Sequence, residues 1–111
     1  MSGYTLTQAA DADLADIARY TVGRWGYEQA ETYLLAFEDA FQKLAAFPDT
    51  GRPIEERAGY FRHERGSHAI FYRKEPEGIL IVRVLHQRME PRRHLPASSH
   101  QQQVGTSGGN E

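Results

Sequence analysis

The hydrophobic pattern changes period part-way along the chain. Between residues 8 and 47 apolar side chains return every three or four positions, and between residues 59 and 87 they alternate or run together. The first spacing is that of amphipathic helices and the second that of strands. In QAADADLADIARYTVGRW the apolar positions are Leu14, Ile17, Ala18, Val22 and Trp25. In YEQAETYLLAFEDAFQKLAAF a broad stripe runs through Ala30, Tyr33, Leu34, Phe37, Ala40, Phe41 and Leu44. Thr7 is placed to cap the first helix by accepting a bond from an early backbone N–H. Asp11 and Asp13 stand near the positive end of its dipole, where capping and solvation are their simplest roles. Gly26 falls where a left-handed C-cap belongs, and Pro48 with Gly51 ends the second helix. So short a link predicts an antiparallel helical hairpin, and the aromatics of both stripes are expected in the core.

YTLT, residues 4–7, alternates and predicts a short strand. GYFRHERG, SHAIFYRKE and GILIVRVLHQ predict three more, with Gly66 and the EPEG stretch at residues 75–78 marking the turns. Links this short make sequential neighbours antiparallel, and the run around Ile79, Ile81 and Val84 is apolar enough for a central strand. The expected fold class is α/β of the α+β kind: a short N-terminal strand, a helical hairpin, then a three-stranded antiparallel sheet, with the hairpin covering one sheet face. Residues 1–95 are expected to form the domain. Residues 96–111, PASSHQQQVGTSGGNE, have almost no apolar content and are expected to be a disordered tail.

The chain has 111 residues, 40% of them hydrophobic, which suits one folded domain. It has no cysteine, so a disulfide framework and thiol chemistry are excluded and a reducing compartment is favoured. The start lacks the basic region and apolar core of a signal peptide, and no apolar run approaches the roughly 20 residues of a membrane helix. A cytoplasmic protein is expected. The net charge of −2 conceals a split. Residues 1–51 hold three basic and eight acidic side chains, whereas residues 52–95 hold ten basic and six acidic. That asymmetry points to an anionic or acidic partner for the second half, or to an ordinary arginine-rich sheet face.

Candidate chemistry is sparse. The histidines are His63, His68, His86, His94 and His100, and no pair has helical or zinc-finger spacing. His63 and His68 are placed to face each other across a hairpin, but two imidazoles do not complete a metal site, so neither metal nor cofactor is expected. Ser67 and His68 are adjacent on a strand and point to opposite faces, which disfavours a nucleophile–base pair. No nucleophile elbow and no glycine-rich phosphate loop occurs. Metal-free RNA cleavage is the serious enzymatic option. Arg62, Arg65, Arg73, Arg83 and Arg88 offer phosphate contacts and His86 a proton carrier, yet a second acid–base partner is missing and no catalytic residue is assigned. Nucleic-acid binding without catalysis finds arginines and stackable aromatics, but a pI of about 6.2 argues against a strong nonspecific binder.

One stretch stands apart. VLHQRMEPRRHL, residues 84–95, opens as a strand and ends as a basic surface. His86, Gln87, Arg88 and Met89 carry the chain off the sheet, Pro91 stiffens the exit, and Leu95 is expected to anchor the end on the globule. Glu90, Arg92, Arg93 and His94 then form an exposed recognition surface. A purely structural reading has His86 bonded to backbone and Arg88 paired with Glu90.

Four ordered pieces carry a resemblance over residues 4 to about 95: YTLTQAADADLADIARYTVGRWG, QAETYLLAFEDAFQKLAAFPDTGRP, GYFRHERGSHAIFYR and IVRVLHQRMEPRRHL. Together they resemble ParE toxins of bacterial type II toxin–antitoxin systems, within the RelE/ParE superfamily. The resemblance implies a helical hairpin packed on an antiparallel sheet. It implies a ParD-like antitoxin as partner in a hetero-oligomer, and DNA gyrase as the usual target. RelE-like relatives instead cut messenger RNA on the ribosome, often with a tyrosine or other acid–base group near the C-terminus. Here the segment after Arg83 has no tyrosine, which favours the ParE side. The expected target-binding residues are His86, Arg88, Glu90, Arg92, Arg93 and His94, with a basic sheet patch of Arg62, Arg65, Arg73 and Arg83. The other readings are a RelE-type ribonuclease and a non-toxic interaction module.

Overall fold

Thr7 ends the first strand and opens the first helix in one residue. Its backbone N–H completes the strand ladder on the Ile81 carbonyl at 3.0 Å, while its hydroxyl accepts from the Ala10 N–H at 3.0 Å. The computed structural model describes residues 3–97. They run as β1 (Gly3–Leu6), α1 (Gln8–Trp25), α2 (Tyr27–Ala46), a 3₁₀ turn at Pro48–Thr50, β2 (Arg52–Pro53), β3 (Phe61–Arg65), β4 (His68–Glu75), β5 (Gly78–His86) and a short α3 (Pro91–His94). The expected tail lies outside the described residues from residue 98 onward, as does His100. No helix among the described residues is long and apolar enough to cross a membrane.

The element order is the expected one, but the sheet has five strands rather than three, in the order β1-β5-β4-β3-β2. The two additions lie outside the predicted meander. β1 pairs with β5 in parallel, with Gly3 beside Gly78 and Leu6 beside Ile81. β2 is two residues long, too short to show a period, and pairs with Arg62 and Phe61. Gly26 differs in detail: its φ is +94° but its ψ is extended at 172°, so the link between the helices is not the left-handed helical cap expected.

The helical hairpin covers one sheet face. Ile17, Phe37, Phe41 and Leu44 meet Ile70, Tyr72, Ile79, Ile81 and Val84 there. The other face has its own cluster of Tyr60, Ala69, Phe71, Val82, Leu85 and Leu95, with Ile54 packed against it. The loop before β3 and the C-terminal segment therefore do for that face what the helices do for the first. A register shift at Phe71/Tyr72 sets Phe71 opposite Arg83 but Tyr72 opposite Ile81, leaving Val82 extra on β5. Such a bulge re-aims the side chains around it. Here Ile81 and Val84 both reach the helix side and Val82 and Leu85 the other, while Arg83 turns to the sheet margin.

Tyr72 ties the end of α2 to the sheet. Its buried hydroxyl donates to the Pro48 carbonyl at 2.6 Å and accepts from the Gly51 N–H at 2.9 Å. A side chain at Gly51 would put its Cβ 2.5 Å from that hydroxyl, so only glycine fits. Trp25, expected on the apolar stripe of α1, is instead 60% exposed.

Candidate partner-binding surface

The turn between β3 and β4 fixes where β5 leaves the sheet. Gly66 and Ser67 form a two-residue connection that sets Arg65 opposite His68. Gly66 has φ +61°, and a Cβ there would collide with the Tyr33 hydroxyl at 2.5 Å; glycine is required on both counts. With this register His63 lies opposite Ile70, not His68. The partner of His68 is His86, directly across on β5, with ring centroids 5.5 Å apart.

Beyond His86 the chain is held to that turn. The Gln87 backbone N–H donates to the Ser67 carbonyl at 3.0 Å and its side-chain amide to the Gly66 carbonyl at 2.9 Å. The Arg88 N–H donates to His86 Nδ1 at 3.2 Å, and the Met89 N–H to the His86 carbonyl at 2.9 Å. His86 is thus bonded to backbone. Glu90, however, pairs with Arg93 at 3.2 Å rather than with Arg88. Pro91 and Leu95 are buried, whereas Arg88, Glu90, Arg92 and Arg93 are exposed and His94 is half-buried. The short helix explains this arrangement, since it turns the arginines outward while both apolar ends sink.

The four sheet arginines do not share one patch. Arg62 lies over the Phe71 ring at 5.3 Å and reaches Glu64 at 3.4 Å. Arg73 lies over the Tyr60 ring at 5.7 Å on that same face, away from the helices. Arg65 is exposed on the opposite side, at the rim of a groove of about 480 Å³ shared with Tyr20, Trp25, Tyr33 and His68. Arg83 is held by Asp13, with two bonds of 2.8 Å to the two carboxylate oxygens. That fork raises the guanidinium pKa further above its ordinary value. Asp13 also accepts from the Val84 N–H at 2.9 Å. Asp13 is therefore not simply a solvated dipole partner. β1 stops at Leu6, and the carboxylate takes up a β5 amide that no strand reaches.

Tyr33 was legible only as a core aromatic. Its hydroxyl in fact meets His68 Nδ1 at 2.9 Å. The periodicity places it on the helix stripe, but only the strand register brings His68 beneath it. Burial, and secondarily the neighbouring His86, hold the His68 pKa below its ordinary value, with Asp13 opposing. A depressed histidine pKa means that the unfolded chain binds protons more readily, so this group's stability is complete above about pH 6.5 and is lost as pH falls below it. Thermal unfolding followed from pH 7.5 to pH 5 should show this loss, and His68→Gln, which keeps a polar partner for Tyr33, should flatten the profile. An unchanged profile in H68Q would remove His68 from the explanation.

Among the described residues no cluster of three or more His, Cys, Asp or Glu side chains is set to hold a metal ion. In neutral His86 the acceptor role of Nδ1 leaves the proton on Nε2, so neither nitrogen presents a free lone pair.

The family model for the ParE toxin of type II toxin–antitoxin system, parDE, matches residues 4–91.

The chain belongs to the ParE toxin family.

The match runs from β1 to Pro91 and stops before Arg92, Arg93 and His94. Toxin ParE1 of Mycobacterium tuberculosis is 47% identical over 96 residues, covering 85% of this chain and 98% of the relative. Toxin ParE1 of Caulobacter vibrioides is 45% identical, covering 86% and 99%. Among solved structures, the chromosomal ParDE system from P. aeruginosa superposes with a TM-score of 0.67 at 27% identity, covering 78% of this chain and 96% of that one. The toxin–antitoxin complex RelBE2 from Mycobacterium tuberculosis gives 0.55 at 26% identity, covering 78% and 98%. These similarities make the chain a ParE-type toxin with a RelE/ParE-like fold.

Proposed function

We propose that this ParE-family toxin binds DNA gyrase through the turn that follows β5, and that a ParD-like antitoxin silences it in the cytoplasm within a toxin–antitoxin hetero-oligomer. The observation that carries this reading is the exposure of Arg88, Arg92 and Arg93 on a turn whose backbone is fixed at both ends. A cationic, pre-ordered surface suits an acidic protein partner, since little ordering entropy is spent on binding. Neither cofactor nor metal is required. The antitoxin reading draws on the solved ParDE relative and on the groove beside α1 and α2. Tyr20 and Trp25 are 65% and 60% exposed there, and Arg65 is exposed at the rim. An amphipathic helix with an apolar face and acidic margins matches that chemistry.

A second reading has one specific support. Tyr33, His68 and His86 lie in contact beside Arg65, which supplies the acid–base pair and the cation that RNA cleavage needs. Against it, the Tyr33–His68 bond engages the nitrogen that faces the hydroxyl, and His86 already serves a backbone amide. A paired assay on purified toxin decides between them. Inhibition of gyrase supercoiling with messenger RNA left intact on the ribosome is the expected result. RNA cleavage with unaffected gyrase reverses the assignment, and inactivity in both points to another target or to a degenerate toxin kept as an interaction module.

A further inference from the structure

The last described stretch is anchored by the buried Leu95 side chain, and its hydrogen bonds to the body of the domain run through its backbone carbonyls. Arg57 Nε donates to the Leu95 carbonyl at 3.1 Å and its Nη2 to that of Arg92 at 3.2 Å. Arg83 Nη1 donates to the His94 carbonyl at 3.3 Å. The Tyr60 hydroxyl donates to the Pro96 carbonyl at 2.8 Å. Three side chains from the body of the domain thus take four carbonyls between residues 92 and 96. Arg83 can do so because Asp13 engages its other two nitrogens, with both side chains largely buried at 13% and 21% exposure. None of these bonds uses a side chain of residues 92–96.

We propose that Asp13, Arg57 and Arg83 form a positioning clamp that grips the recognition turn by its backbone and leaves its side chains to the target. The proposal rests on the gyrase reading and deepens it, because it adds an acidic residue of α1 and an arginine of the β2–β3 loop to the machinery of a surface whose side chains neither of them bonds. Carbonyl recognition is indifferent to side-chain identity. The clamp therefore presents whatever residues occupy positions 92–94 in one geometry, and the turn's specificity is free to change without rebuilding its support. A planar guanidinium is the group for this task, since its rigid fork offers two spaced donors to two carbonyls, whereas a lysine ammonium is a compact point charge on a flexible stem.

The test uses the full chain and separates charge from geometry. Arg57→Lys preserves every charge on the basic surface but not the fork. Asp13→Asn preserves shape and an acceptor for Val84 but releases Arg83. Amide hydrogen exchange at Arg93 and Leu95, whose N–H groups bond within the turn to Glu90 and Pro91, reports whether the turn is held. Both variants should exchange faster there, keep their core protection, and inhibit gyrase supercoiling about tenfold less well, the loss of roughly one charge-assisted hydrogen bond. Should D13N fail to fold, R57K alone carries the test. Faster exchange with undiminished inhibition overturns positioning, and unchanged exchange overturns the clamp itself. A chain carrying R88A, R92A and R93A that still inhibits gyrase overturns the underlying reading, and only that arm reports it.

Discussion

Replacing Arg88, Arg92 and Arg93 with alanine together should abolish growth inhibition while leaving the folded domain nearly as stable as the parent. The three side chains are exposed, and the one ion pair lost, Arg93 with Glu90, is solvated on both partners at 77% and 70% exposure. Such pairs contribute roughly 0–1 kcal/mol, and truncations of this kind at a surface change stability by about 0.5 kcal/mol or less. The bonds that fix the turn run through the carbonyls of Arg92, His94, Leu95 and Pro96, which alanine keeps. Met89, Pro91 and Leu95 stay in place. Growth after induction, supercoiling inhibition and a thermal melt form the measurement. A triple variant as toxic as the parent would mean that the turn only closes the fold. The active surface should then be sought at Arg65 and at the Arg62 and Arg73 face, since Arg83 is already engaged by Asp13. Antitoxin binding belongs in the same experiment, because the groove proposed for the antitoxin lies beside α1 and α2, apart from the turn.

Phe37→Ala should have the largest effect on stability. Phe37 is 1% exposed and links the second helix to the sheet, with its ring centroid 5.0 Å from Tyr33, 6.2 Å from Phe41 and 6.0 Å from His68. Truncating a buried phenylalanine costs about 3–5 kcal/mol, a large share of the roughly 5–15 kcal/mol that holds a domain of this size. In melting temperature that is on the order of 20 °C. The Tyr33–His68 contact should be lost with it, since Phe37 packs against both. Thermal denaturation with near-ultraviolet circular dichroism at the aromatic bands reads both effects, and a variant melting within a few degrees of the parent would show that the helix–sheet seam is held elsewhere.

Much of the fold was legible because each period persists long enough to read. The α2 stripe spans 20 residues, and its Phe37, Ala40, Phe41 and Leu44 are all buried as the spacing requires. Thr7 was legible as a cap because the role demands a short hydroxyl side chain at a helix start. The partners of β1 were not, since nothing in YTLT distinguishes a hairpin neighbour from a strand some 75 residues away. Asp13 was misread for the same reason: a carboxylate in the first turns of a helix satisfies a local rule, and its distant partner Arg83 leaves no local mark. At the surface, composition marked Arg88, Arg92 and Arg93 as a basic stretch, but their outward aim depends on burial of Pro91 and Leu95. The pairing of His68 with His86 depends on a turn register that a shift of one residue would undo.

The parallel pairing of β1 with β5 also orders events in time. Residues 3–6 find their partners only at residues 78–81, so the strand made first waits for the strand made last. Closing so long a loop yields nothing until its far end arrives. During synthesis the helical hairpin and β1 leave the ribosome with no sheet to rest on, and the recognition turn is translated after every element that supports it. Interrupted translation upstream of β5 therefore yields fragments that lack both the finished sheet and the turn. If the turn is the toxic surface and the α1–α2 groove the antitoxin site, as proposed, the chain becomes a toxin only when its own translation is nearly complete, and an antitoxin already present meets its helices before the turn exists.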